Sequence, residues 1–282
     1  MGEATDSVFR AMTDDGTFRV VTADTTRTVR GALAAQGVKG ATARHFGDLI
    51  TGVVLLRLTM APQLRVQGIL RGKGSTGTLV ADSHPTGKTR GLVSESQGPL
   101  ELGPGSLLRL MRTLHDGRLQ QGVVEVPDGG INEALMEYMQ VSEQVTTMIA
   151  VGTIFDGDEV VSAGGYLVQL LPGAKRGPLM VMTERLEEFR SIDDRLAKRD
   201  FSPASLMEEL LYAMPFTPLG ETDVHFECWC SRLSVMSALS TLPRGEIESL
   251  ISIGEVLEIR CDYCTTEYRV APAELRGLLD AS

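Results

Sequence analysis

The first 175 residues alternate between apolar patterns typical of strands and apolar patterns typical of helices. Residues 17–23 have the spacing of a strand, and residues 25–36 have that of a helix that ends before Gly37. A longer helix is predicted over residues 41–60, with its apolar side chains on helical spacing at Phe46, Leu49, Ile50, Val53, Val54 and Leu58.

Shorter patterns follow this helix. Strand-like runs are separated by Gly, Ser, His and Pro, which predicts an antiparallel meander; the runs are residues 64–70, 78–82 and 89–95. A strand at residues 121–126, a helix at 132–146 and two strands within 148–171, around the turn 156–158, complete the series. We therefore predict an α+β fold in which residues 1–175 form an N-terminal domain of mixed sheet and helices.

A turn-rich break at residues 172–178 ends this domain, and we predict a helical linker over residues 176–220. Residues 184–200 hold eleven charged residues in seventeen and predict one narrow amphipathic helix. Its apolar stripe, a candidate switch, consists of Leu186, Phe189, Ile192 and Leu196. Such a helix needs docking to be stable; an ordinary linker with a solvated face is the alternative. A second helix is predicted with Ser202 as its N-cap and Pro203 at its first position.

Residues 221–282 are predicted to form a small C-terminal domain. Helices are expected at residues 232–242, 245–253 and 272–279, and strands at 256–260 and 268–270. Apolar side chains are few, so the core is thin. A bound metal would then supply much of the folding free energy, on the order of 10–16 kcal/mol for structural zinc in small peptides.

Composition and charge narrow the range of possible functions. The chain is 43% hydrophobic and 23% charged, as in ordinary globular proteins, and its first residues show no secretory signal. The apolar run at residues 49–56 is too short to span a membrane, so we expect a cytoplasmic protein without a membrane partner. The net charge of −10, with eleven acidic residues against five arginines and no lysine in residues 221–282, argues against nucleic acid.

Two further motifs carry little weight. Gly72, Gly74 and Gly77 spell the dinucleotide fingerprint, but a strand-like run rather than a helix follows them, so we interpret them as a hairpin. The adjacent residues 82–84 (Asp, Ser, His) are interpreted as a loop tip rather than a catalytic triad, which is assembled from separated positions. His225, three residues before a cysteine, is interpreted as a surface residue or a neighbour of the ligands.

The only four cysteines of the chain form a C-x-C pair and a C-x-x-C pair, separated by thirty residues. Four thiolates suit a tetrahedral Zn²⁺ ion, and a tight turn presents two sulfurs from each pair. We predict one zinc ion per chain, bound in the reduced state by Cys228, Cys230, Cys261 and Cys264. Four unrelated core cysteines are the alternative.

Paired cysteines also support redox chemistry, because thiolates that bind a metal are equally the nucleophiles in oxidation. The spacing alone does not choose between a static zinc clip and a switch. A thiol–disulfide oxidoreductase and a zinc-ribbon interaction module are the other functions that the cysteines allow. Apart from the cysteines, the sequence contains no constellation of residues that indicates an enzyme.

The chain resembles the redox-regulated heat-shock chaperone family known as the 33 kDa chaperonin. The C-terminal likeness lies in FECWCS (226–231), TLPRGEIESL (241–250) and CDYC (261–264). The N-terminal likeness lies in VQGILRGKG (66–74), TRGLV (89–93), QGVV (121–124), SEQ (142–144) and AGGYLVQLLPGA (163–174). Relatives often place glycine where this chain has Thr265, which puts the backbone turn there in question.

The resemblance implies an ATP-independent holdase that is inactive while reduced and zinc-bound. Oxidation would form two disulfides, Cys228–Cys230 and Cys261–Cys264, expel zinc and unfold the C-terminal domain. The linker would then loosen and expose apolar surface. The expected partners are unfolding client proteins and, after oxidation, a second copy of the chain.

Overall fold

The computed structural model describes residues 5–60, 63–95, 100–114 and 116–280. The predicted domain ends at residues 1–4 and 281–282 lie outside these described residues. The chain divides into two compact units, Met1–Glu227 and Cys228–Ser282, which we call the sheet unit and the cysteine unit.

The described strands of the sheet unit are β1 (Ser7–Thr13), β2 (Phe18–Asp24), β3 (Val66–Arg71), β4 (Thr78–Ser83), β5 (Lys88–Ser94), β6 (Leu107–Thr113), β7 (Leu119–Glu125), β8 (Thr147–Asp156), β9 (Glu159–Leu170), β10 (Phe216–Asp223) and β11 (His225–Phe226). Its described helices are α1 (Thr26–Gln36), α2 (Gly40–Met60), α3 (Ile131–Val141), α4 (Arg176–Glu188), α5 (Asp193–Leu196) and α6 (Pro203–Leu210). The cysteine unit contains α7 (Arg232–Leu239), α8 (Arg244–Ile253), β12 (Leu257–Arg260), β13 (Glu267–Val270) and α9 (Pro272–Asp280).

Two sheets form the sheet unit. The first is antiparallel, in the order β10-β1-β2-β9-β8. The second has the order β11-β5-β4-β3-β6-β7 and is antiparallel except for the short β11–β5 pair. The predicted meander of β3, β4 and β5 is confirmed, because these three strands are antiparallel neighbours.

Helix α2 lies between the two sheets and contacts strands of both. Fifteen of its twenty-one residues are buried, because its apolar side chains surround the helix rather than follow one stripe. Phe46, Leu49 and Leu56 are fully buried in the main core. The longest helix predicted from the sequence is thus the central element of the unit.

The central strands of the first sheet are buried on both faces, since the side chains of a strand alternate between them. In β2, Val21 and Ala23 belong to the core around α2. Phe18 and Val20 belong to a second core on the opposite face, beneath α4, α5 and α6. The helices of the predicted linker therefore cover one face of this sheet.

The structure divides the helix predicted at residues 184–200 into α4 and α5. Helix α4 ends at Glu188, and the carbonyl of Phe189, the next residue, accepts a hydrogen bond from the Tyr166 hydroxyl at 2.8 Å. The N-cap prediction for α6 is confirmed: Ser202 accepts a hydrogen bond from the Ser205 backbone N–H, and Pro203 is the first helical residue.

Other boundaries also differ from the predictions. The helix predicted at residues 132–146 ends at Val141, and Gln144 has a left-handed φ of 57° that a helix cannot contain. Residues 82 and 83 are not a loop tip: Asp82 and Ser83 end β4 and are fully buried. In the part of the chain that the structure describes, no helix has the length and apolar character needed to cross a membrane.

Candidate metal centre

The first cysteine pair lies directly before helix α7. Ser231 is the N-cap of this helix, and its hydroxyl accepts a hydrogen bond from the Ser234 backbone N–H at 3.1 Å. A side-chain cap of this kind satisfies one of the free N–H groups at a helix start. It therefore fixes the direction of the chain immediately after Cys230.

The second pair occupies the turn of the β12–β13 hairpin. The Cys261 N–H donates to the Thr266 carbonyl at 2.9 Å, and the Thr265 N–H donates to the Cys261 carbonyl at 2.8 Å. Thr265 has a left-handed φ of 61°, a conformation that glycine adopts freely and a β-branched residue does not. The structure therefore contains the turn that the sequence left in question, and Thr265 occupies its strained, left-handed position.

The four sulfurs of this unit form one cluster, in which every sulfur lies within 4.8 Å of every other. Cys228 Sγ and Cys261 Sγ are 3.8 Å apart, and Cys230 Sγ and Cys264 Sγ are 3.4 Å apart. In a tetrahedral Zn²⁺ site with bonds of about 2.3 Å, neighbouring sulfurs are about 3.8 Å apart. The donor set and its spacing therefore fit a zinc ion.

The thiols differ in acidity. Burial raises the pKa of Cys230 to about 12 and also raises the pKa of Cys261. Burial acts in the same direction on Cys264, but its contacts with the hydroxyl and backbone of Thr266 outweigh it and lower the pKa to about 7. The Tyr268 hydroxyl donates to Cys230 Sγ at 3.0 Å, so a hydrogen-bond donor already faces the cluster.

The core of the cysteine unit is small. Its buried apolar cluster in the described residues consists of Leu239, Ile247, Val270 and Leu275. One large apolar side chain, that of Leu233, is 76% exposed. A cross-link through the sulfurs would join residues 228–230 to the hairpin turn and so supplement this core.

The predicted linker stripe lies against the first sheet. Phe189, Ile192 and Leu196 are buried in the second core, and Leu186 packs against it partly buried. Phe189 is held on two sides: the Tyr166 ring meets it edge-on at 6.2 Å, and the Arg195 guanidinium lies 4.0 Å from its centroid.

Two glycines beneath α5 were not singled out from the sequence. Gly152 of β8 and Gly164 of β9 face each other across the strand pair. A Cβ on Gly152 would lie 2.9 Å from Ile192 and 2.8 Å from Asp193, and one on Gly164 would lie 3.2 Å from Leu196. Helix α5 thus rests where the sheet has no side chains. The repeated glycines within AGGY were the available sign of this close approach.

The weaker motifs have structural explanations. Gly72, Gly74 and Gly77 lie in the β3–β4 connection, around a short 3-10 helix at Lys73–Ser75, as the hairpin interpretation predicted. His225 lies outside the cysteine unit, with its Nε2 atom 3.2 Å from the Glu227 carboxylate.

Known proteins with similar sequences and structures share one description. The family described as Hsp33 protein matches residues 6–271. A 33 kDa chaperonin of Shouchella clausii is 30% identical over 224 residues, covering 75% of this chain and 76% of its own length. One of Syntrophotalea carbinolica is 28% identical over 245 residues, with 83% and 85% covered.

The fold agrees with this match. The crystal structure of a 33 kDa chaperonin from Thermotoga maritima superposes with a TM-score of 0.83, at 22% identity and with 99% of both chains covered. The predicted α+β class and the resemblance read from the sequence are confirmed. The chain belongs to the Hsp33 family of chaperones.

Proposed function

We propose that the chain is a cytoplasmic, ATP-independent holdase that oxidation activates. The observation that carries the proposal is the cluster of four sulfurs within 4.8 Å in a unit whose buried apolar cluster has four residues. Oxidation or metal loss at the sulfurs would therefore affect a unit that has little other stabilisation. Membership of a chaperone family supports client binding rather than catalysis as the outcome.

In the reduced state, Cys228, Cys230, Cys261 and Cys264 would hold one zinc ion as thiolates. Bound zinc supplies a cross-link between two segments that are about thirty residues apart in sequence. Helix α7 begins at the first segment and the β12–β13 hairpin contains the second. The cluster thereby keeps the small core of the unit closed.

Oxidation would join the sulfurs within each pair, Cys228 to Cys230 and Cys261 to Cys264. Each disulfide forms as two zinc-bound thiolates lose two electrons and their bonds to Zn²⁺, and the ion is released. Each peroxide molecule takes up two electrons and two protons from solvent and is reduced to water, so two peroxide molecules are consumed per chain. The new bonds lie within one segment or within one turn. They no longer connect the two segments, and among the described residues the remaining core has four buried and nine partly buried apolar side chains, so we expect the unit to unfold.

Loss of the cysteine unit would release the linker, which precedes it in the chain. Helices α4 and α5 have a narrow apolar contact with the sheet and eleven charged residues in 184–200, so their stability depends on docking. Their release would bare the face of the sheet that holds Phe18, Val20 and Tyr166. Exposed apolar area of this kind binds unfolding proteins without ATP, and two such faces could pair in an oxidised homodimer.

Light scattering of a heat-denatured client tests the proposal. Peroxide-treated protein should suppress aggregation, whereas reduced zinc-loaded protein and protein re-reduced with zinc should not. The comparison variant is Cys261→Ser with Cys264→Ser, which lacks two of the four proposed zinc ligands and should therefore protect the client already without peroxide, with little further gain on oxidation. Equal protection by the reduced and oxidised wild-type protein would reject the switch.

A thiol–disulfide oxidoreductase is the second candidate, because the contacts with Thr266 lower the pKa of Cys264 to about 7. That function predicts turnover of a dithiol substrate, followed by insulin reduction. Turnover together with no client protection would favour the oxidoreductase over the holdase.

The docking of α5 on Gly152 offers a separate test. Gly152→Ala places a methyl group against Ile192 and Asp193, so we expect partial client protection without oxidation. Gly177→Ala is the control, since Gly177 lies in α4 and a methyl group there would have no atom within 4 Å. Hydrogen exchange should show lower protection of residues 184–200 in the first variant only. Unchanged exchange in Gly152→Ala would remove the linker from the mechanism.

A further inference from the structure

A polar cavity of about 280 Å³ lies within the sheet unit, away from the cysteines. Arg10 of β1 and Thr222 of β10 line one side of it, and Arg57 of α2 lines another. The β4–β5 turn closes it with Thr86 and Gly87. The redox proposal uses none of these residues.

The pairing of β1 with β10 directs Arg10 and Thr222 to the same side. Arg10 is opposite Gly220, and Val8 is opposite Thr222, so both side chains project from the face that carries Val8. The guanidinium of Arg10 extends over Gly220, where a Cβ would lie in ordinary contact with Arg10 Nη2, at 3.5 Å. The strand pair thus presents a cation and a hydroxyl toward α2.

Among the residues that the structure describes, two buried polar atoms at this cavity have no hydrogen-bond partner. They are Arg10 Nε and Thr222 Oγ1. Buried donors of this kind are rarely left unpaired in folded proteins, because water no longer compensates them. Their shared location indicates a ligand rather than two independent packing defects.

A second cation faces the same cavity. Arg57 is 1% exposed, and its Nε donates to the Ser83 hydroxyl at 2.9 Å. Burial and the positive charge of Arg10 lower the pKa of Arg57 to about 10. A lowered pKa means that the charged form is disfavoured there, and an anion between the two guanidinium groups would reverse this effect.

The carboxylates near this pair of arginines have other partners or face solvent. The buried Asp82 binds Arg65 and Arg90, and Glu227 binds Lys88. Asp223 lines the cavity but is exposed to solvent. The charged side chains that line the cavity are thus two arginines and one exposed aspartate, which leaves the lining net positive.

We propose that this cavity binds a tetrahedral oxyanion, phosphate or the phosphate group of a small phosphorylated molecule, between Arg10 and Arg57. The Thr222 hydroxyl donates a further hydrogen bond. Guanidinium groups suit this ligand because their fixed N–H geometry matches two oxygens of a phosphate. The volume accommodates the anion and a few additional atoms.

Calorimetric titration of the reduced full chain with inorganic phosphate, at constant ionic strength in chloride, tests the site. We expect one saturable site per chain, at least tenfold weaker binding in Arg10→Gln and severalfold weaker binding in Thr222→Val. Arg109→Gln is the control, since Arg109 is a half-buried arginine in β6 that does not line the cavity. It should bind phosphate as the wild type does.

Absence of saturable binding, or equal affinity in wild type and Arg10→Gln, would overturn the proposal. If Arg10→Gln does not fold, the Thr222→Val titration decides, and undiminished affinity there rejects the site. A parallel titration with glycerol 3-phosphate identifies the source: tighter binding of the ester assigns a phosphorylated metabolite, and tighter binding of the free ion assigns inorganic phosphate.

Discussion

The sheet unit and the cysteine unit are stabilised in different ways. Among the described residues, the core around α2 contains thirty-five buried apolar residues, whereas that of the cysteine unit contains four. Burial of a large apolar side chain contributes about 1.5–3 kcal/mol, so the sheet unit has ample stabilisation from packing alone. The core of the cysteine unit is too small for this, and we expect its sulfurs, bound to zinc, to supply the missing stabilisation.

This difference makes the two units sensitive to different changes. Oxidants and chelators act on sulfur and leave buried leucines untouched, so the cysteine unit should respond to them first and the sheet unit only through release of its linker helices. The single tryptophan, Trp229, lies in the cysteine unit. Its fluorescence therefore reports on that unit, while far-ultraviolet circular dichroism reports mainly on the larger sheet unit.

Metal removal should give the largest effect. A chelator in excess, applied to reduced protein, should unfold residues 228–282, because structural zinc contributes on the order of 10 kcal/mol in small domains. Trp229 fluorescence should shift while most of the circular dichroism signal remains. Added zinc should restore the spectrum; a fluorescence signal that ignores the chelator would show that packing alone holds the cysteine unit.

A matched pair of leucine substitutions should separate the units. Leu56 of α2 and Leu275 of α9 are both fully buried. Leu56→Ala should lower the free energy of unfolding of the sheet unit by about 2–5 kcal/mol without changing zinc release. Leu275→Ala should instead accelerate the transfer of zinc to a chelator. The melting temperature of the sheet unit should not change in this variant. Equal effects on both readouts would mean that the units unfold together.

The sheet unit also has a pH-sensitive residue in α2, beside Thr153 of β8. Burial raises the pKa of Asp48 to about 7 against a hydrogen bond from Thr153, with Arg44 lowering and Asp193 raising it further. The folded state therefore holds a proton that the unfolded carboxyl, with a pKa of 3.8, releases.

Stability of the wild type should fall as pH rises from about 4 to 7 and stay low above that range. Asp48→Asn should remove this dependence and gain about 4 kcal/mol relative to the wild type at pH 8 compared with pH 4, given about 1.4 kcal/mol per pKa unit over the shift from 3.8 to about 7. Urea denaturation at several pH values measures it. A constant difference between the two proteins across that range would contradict the assignment.

The smallest expected effect concerns the cysteine turn. Thr265→Gly should stabilise the reduced cysteine unit by about 1 kcal/mol, because glycine adopts the φ of 61° without strain. The measurement is slower zinc loss to a chelator. Gly245→Ala, at a helical position with open space around it, is the control and should leave zinc loss nearly unchanged. Faster loss in Thr265→Gly would show that the threonine side chain stabilises the turn.

Local patterns in the sequence determined many of the elements. The apolar spacing of residues 41–60 was sufficient for α2, and Ser202 with Pro203 was sufficient for the start of α6. The C-x-C and C-x-x-C pairs indicated a metal cluster because each pair places two thiols within one tight turn. Strand β10 was missed, since Pro218 and Gly220 and its mostly exposed side chains resemble a loop.

Only the tertiary structure decided what the linker helices contact and cover. Tyr166 lies twenty-three residues from Phe189 in sequence, yet its hydroxyl donates a hydrogen bond to the carbonyl of Phe189, the residue after α4. Gly152 and Gly164 admit α5 because pairing of β8 with β9 brings two bare positions together. The cavity of Arg10, Arg57 and Thr222 likewise joins three distant segments. Periodicity in the sequence reports on residues that are close together along the chain. These contacts instead depend on strand register and on the surface that stays open beneath a helix.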